Sequence, residues 1–72
     1  MQTKYYTRQQ LKKAYDSGAT SVISVGGGTV KFMFRNDPDT VGYLVGSDKN
    51  IRRFKSDAKG WLFIDKLKGL YI

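Results

Sequence analysis

Ser56-Asp57-Ala58-Lys59-Gly60-Trp61-Leu62-Phe63-Ile64-Asp65-Lys66-Leu67-Lys68-Gly69-Leu70 decides the fold, because it supports two readings that lead to different architectures. As a helix, it is capped by Ser56 or Asp57, with Asp57 favourable at the positive end of the helix dipole. Phe63, Ile64, Leu67 and Leu70 then form one buried stripe before Gly69 ends the element. As a turn and strand, Asp57-Ala58-Lys59-Gly60 matches a type I turn, with Asp first and Gly fourth, and leads into a strand over 61–65 that would close a small barrel-like sheet. Leu67 lies four residues from Phe63, and the charges are confined to Asp65, Lys66 and Lys68, which favours the helix over 57–68.

Working back towards the start, Ile51 to Lys55 reads as a strand entered through the turn Gly46-Ser47-Asp48-Lys49-Asn50. Before it, Thr40 to Val45 has Val41, Tyr43 and Val45 in phase. Asn36-Asp37-Pro38-Asp39 is a turn in which Pro38 presets the backbone and Asn36 or Asp37 bonds it locally. Val22-Ile23-Ser24-Val25, three glycines, and Thr29-Val30-Lys31-Phe32-Met33-Phe34-Arg35 form a hairpin, with Val30, Phe32 and Phe34 on one side and Lys31, Met33 and Arg35 on the other. The sharpest local signal is Thr7-Arg8-Gln9-Gln10-Leu11. It is a capping box flanked by the staple pair Tyr6 and Leu11, and it opens a helix that runs to about Ser17 and stops at Gly18. The expected fold is α+β in one small domain over 1–72: an N-terminal helix, an antiparallel meander of three or four strands and a C-terminal helix.

This arrangement of helix, strands and helix resembles the double-stranded RNA-binding domain across most of the chain. Lys55-Ser56-Asp57-Ala58-Lys59 stands where that family carries the phosphate-gripping Lys run at the start of its last helix. In the strand reading, Gly60-Trp61-Leu62-Phe63-Ile64-Asp65-Lys66-Leu67 is similar to the closing strand of the small single-stranded-DNA-binding proteins of filamentous phages. Both resemblances imply a nucleic-acid partner.

With 72 residues the chain has a thin core, and an enclosed enzyme cavity would take a large share of it. There is no Cys and no His, which removes thiol nucleophiles, Cys/His zinc sites, disulfides and imidazole bases together. Gly26-Gly27-Gly28-Thr29 lacks the Lys and the following helix of a phosphate loop and reads as a hairpin connection. Asp37, Asp39 and Gly42 mimic three positions of a calcium loop, but Val41 holds the fifth and Asp48 replaces the twelfth-position Glu. The chain is expected to be no enzyme and to need no cofactor or metal. The longest apolar run, Trp61 to Ile64, falls far short of the roughly 20 residues a membrane span needs. Without an apolar leader at Met1-Gln-Thr-Lys-Tyr-Tyr, a cytoplasmic location is expected.

What remains is charge. Thirteen Lys and Arg against six Asp give +7, and no Glu is present to shield them. Strand alternation groups Lys31 with Arg35 and Arg53 with Lys55, with Lys49 and Arg52 alongside; Arg8, Lys12 and Lys13 form a basic rim on the first helix. Such a face attracts phosphates through counterion release. Phe32, Phe34, Trp61 and Phe63 are expected in the core. Tyr5, Tyr6, Tyr43 and Tyr71 are available for stacking on unpaired bases, Tyr43 foremost because it lies between two basic strands. The expectation is a small basic module that binds DNA or RNA. The alternative is a phage- or mobile-element-type interaction module that docks on an acidic host protein through an apolar rim of Met33, Leu44 and Trp61.

Overall fold

Thr7 starts the first helix by exchanging hydrogen bonds with Gln10. Its hydroxyl accepts from the Gln10 backbone N–H at 3.4 Å, and the Gln10 side chain accepts from the Thr7 backbone N–H at 2.9 Å. In the computed structural model, which describes residues 2–69, this helix is α1, Arg8–Asp16, and Gly18 follows it with a φ of 78°. Leu11 is its one fully buried side chain, and Tyr6 packs beside it against the core.

The chain then forms β2, Thr20–Gly26, and β3, Thr29–Phe34, joined by Gly27 and Gly28, both with positive φ as a tight two-residue hairpin requires. β4, Asp37–Leu44, completes an antiparallel meander. The tail is a helix, α2, Asp57–Lys68, capped by the Ser56 hydroxyl and closed by Gly69 in the left-handed conformation. The fold is α+β and its sheet is open, so the barrel alternative and the likeness of 60–67 to a closing strand both fall away. Leu70 and Tyr71 lie outside the described residues.

Both helices cover one sheet face. Leu11 from α1 and Ile64 and Leu67 from α2 meet Ile23, Val30, Phe32 and Leu44 in a single cluster, with Phe34, Phe54 and Phe63 packed around it. Gly60 lets α2 settle close to β2, since a Cβ there would come within 2.7 Å of a Val25 methyl. The hairpin and α2 are also tied directly. The Gly28 N–H donates to the Asp57 carboxylate at 2.8 Å, so the anion held by the glycine turn is the protein's own side chain.

Three local expectations are corrected. The fourth strand is N-terminal: β1, Gln2–Tyr6, pairs parallel to β4, giving the order β1-β4-β3-β2, and α1 carries the chain from one edge of the sheet to the other. The 51–55 segment makes only isolated bridges, Ile51 to Val45 and Arg53 to Thr29, as it wedges between the separating ends of β4 and β3. The turn after β3 is made by Arg35 and Asn36, not by 36–39. Pro38 belongs to β4, at a register break between the pairs Met33–Val41 and Phe34–Asp37, where its missing N–H interrupts no regular ladder. Two side chains also exchange roles. Trp61, expected inside, is 44% exposed because Gly60, Ile64 and Leu67 are the inward face of α2, while Leu44, expected on a rim, is fully buried.

Candidate nucleic-acid interface

The sheet face away from the helices carries two cross-strand rows. Register aligns Tyr5, Tyr43, Lys31 and Ser24 across β1, β4, β3 and β2; Thr3, Val41, Met33 and Val22 form the next row. Side chains opposite one another on adjacent strands are near neighbours, and here the contacts are aromatic. The Tyr5 and Tyr43 rings stack at 6.4 Å between centroids and 26° between planes, and Lys31 Nζ lies 5.6 Å from the Tyr43 ring centre. Tyr5 is 56% exposed and Tyr43 is half-buried. Neither row contains a carboxylate; Asp39 comes next along β4, at the end away from Lys31.

Two further cations flank the first row, Arg53 beside β3 and Lys49 at the β1 end. Arg53 bridges Thr29, two residues along β3 from Lys31, and so shares its face; its side chain is exposed. At the β1 end, Tyr5 and Lys49 line one hollow of about 320 Å³ with Thr7, Gln9, Gln10 and Val45. Lys49 is presented by a tight turn with a φ of 66°. The turn is held by the Gly46 N–H to the Asn50 carbonyl at 3.0 Å and by Asp48, whose carboxylate accepts from the Asn50 backbone N–H and side-chain amide, both at 3.1 Å. Those two hydrogen bonds, the backbone one first, hold the Asp48 carboxyl below its ordinary range.

The sequence-derived set therefore divides. Lys31, Tyr43, Lys49 and Arg53 gather around the aromatic row. Arg35 does not: it lies past the end of β3, in the turn, and its guanidinium donates to the Gly18 and Thr20 carbonyls at 3.0 and 3.5 Å. Lys55 is exposed beyond the Arg53 bridge, where pairing with β3 has ended. Lys12 and Lys13 belong to the helical layer on the opposite side, and Lys12 is paired with Asp16 at 3.1 Å.

Arg8 and Arg52 belong to a second basic cluster. Arg52 lies 4.9 Å from the Phe54 ring centre and 5.3 Å from that of Phe63, cation–π contacts with a ring pair whose own centres are 5.5 Å apart, on the helical side. With Arg8, Lys59, Leu62 and Lys66 these residues line a cleft of about 500 Å³. Sequence reasoning missed Tyr5 as part of the row, since its strand was unseen, and missed Lys59 and Lys66, which required knowing the rotation of α2. Among the described residues no three His, Cys, Asp or Glu side chains gather as a metal site would need, and no helix is long and apolar enough to cross a membrane. No protein-family model, curated protein or solved structure matches this chain.

Proposed function

We propose that the chain is a non-enzymatic nucleic-acid-binding module of the cytoplasm that takes a single strand across its open sheet face. Bases stack on Tyr5 and Tyr43 while phosphates are held by Lys31, Lys49 and Arg53. The observation that carries this reading is the uncovered row in which a tyrosine pair is continued by Lys31, with Lys49 at its β1 end and Arg53 beside β3. A ring pair of this kind accepts any base, because every base has a π-face, and each such contact is worth roughly 1–3 kcal/mol. Lysine and arginine around it would position the backbone without reading sequence. A duplex would keep its bases stacked internally and leave the tyrosines unused, so the reading favours single strands.

The test is fluorescence anisotropy with short single-stranded and duplex oligonucleotides over a salt series. Single strands should bind more tightly at every salt concentration. Lys31→Ala should flatten the log–log salt slope by about 0.7, the value of one released contact on a single strand. Absence of binding at low salt, or an equal effect from Lys13→Ala on the far layer, would overturn the proposal.

A further inference from the structure

The cleft on the helical side has a chemistry different from that of the sheet face. Its floor is apolar, formed by Phe54 and Phe63, both half-buried, and by Leu62, which is 38% exposed. Its walls are cationic: Arg8 at the start of α1, Arg52 from the connecting segment, and Lys59 and Lys66 from α2. Among the described residues no acidic side chain lines it, and Arg8, Arg52 and Lys59 have no carboxylate partner. Phe54 and Leu62 are held in place, the first by its backbone N–H to the Gly28 carbonyl at 2.7 Å, the second by a capped helix whose other face is in the core.

We infer that this cleft docks an acidic protein segment, anchored by one or two apolar side chains on Phe54, Leu62 and Phe63 and held by carboxylates on Arg8, Arg52 and Lys59. Charge complementarity selects against a basic occupant and favours an acidic one. The apolar floor separates a peptide from a nucleic acid. Phosphates would use the walls and leave the exposed Leu62 side chain covered without an apolar partner. A peptide satisfies both parts, with aliphatic or aromatic anchors below and Asp or Glu at the rim. The cleft lies in the helical layer, so this partner and the strand on the sheet would use separate surfaces, and neither inference depends on the other.

The experiment maps backbone amide shifts of the full chain on adding a short peptide of Asp and Glu with two Leu and one Phe. A control peptide has the Leu and Phe replaced by Ser, and an oligothymidine is titrated separately. The expected result is that the first peptide moves Arg8, Arg52, Phe54, Lys59, Leu62 and Phe63 at physiological salt and that the Ser control binds about tenfold or more weakly. Leu62→Ser and Lys59→Glu, both at exposed positions, should each weaken the peptide by about tenfold while the oligothymidine affinity stays unchanged. Equal binding of the two peptides, indifference to Leu62→Ser, or oligothymidine shifts centred on the cleft would each overturn the proposal. Loss of oligothymidine binding to the sheet with the peptide result intact would count only against the nucleic-acid reading.

Discussion

The ring of Phe32 lies over the bare Cα of Gly42, its register partner on β4, so closely that a Cβ built on Gly42 would collide with the ring edge. Tyr6 and Phe34 flank the same ring at 5.4 and 5.6 Å between centroids, and the ring is fully buried. Gly42→Ala should therefore destabilise the protein by about 2–3 kcal/mol, the upper range for overpacking a filled core. Urea denaturation measures it, and Phe32→Leu introduced together with Gly42→Ala should recover part of the loss.

Asp57 joins α2 to the β2–β3 hairpin through the Gly28 N–H. Removing the carboxylate leaves a part-buried donor unmatched and deletes a favourable charge from the first turn of α2. Asp57→Ala is expected to lower stability by about 1–2 kcal/mol, and Asp57→Asn, which keeps an acceptor, by less. Thermal unfolding followed by far-UV circular dichroism would rank the two.

Arg35 is spent on structure. With its guanidinium on the Gly18 and Thr20 carbonyls, it pins the entry of β2 to the end of β3. Arg35→Met should lower stability by about 1 kcal/mol and leave oligonucleotide affinity close to the parent value. A large affinity loss with unchanged stability would contradict its placement.

Tyr5 is the most exposed member of the aromatic row, so its ring can be removed with little disturbance to packing. Tyr5→Leu should weaken single-strand binding by about tenfold, and Tyr5→Phe should retain most of it, because the ring and not the hydroxyl does the stacking. Anisotropy titrations of both variants beside Lys49→Ala would show whether the β1 end of the row takes part.

The elements bounded by side-chain chemistry were legible from the sequence. Thr7 and Gln10 cap α1 as their spacing demands, the glycine pair makes the hairpin turn, and the Phe63–Leu67 spacing marks α2 correctly as a helix. β1 was not legible. Gln2 to Tyr5 are all exposed, so no buried alternation marks the strand, and its pairing partner lies more than half the chain away. Arg35 was misplaced for a related reason: simple alternation assumes that the strand continues, but β3 ends at Phe34 and the guanidinium is taken up by the Gly18 and Thr20 carbonyls, far away in sequence. Trp61 misled by size. A large aromatic is a good core candidate in a small domain, but α2 turns its small residue, Gly60, towards β2.

Because Tyr5 reaches Tyr43 only when β1 docks on β4, half of the ring pair is delivered by a peripheral strand whose pairing closes a long loop. Edge segments of this kind open more readily than the body they rest on. If the proposed strand binds there, occupancy of the sheet surface and order at the amino-terminal edge form one linked equilibrium, in which a bound strand should slow amide exchange along 2–6 and fraying there should lower apparent affinity.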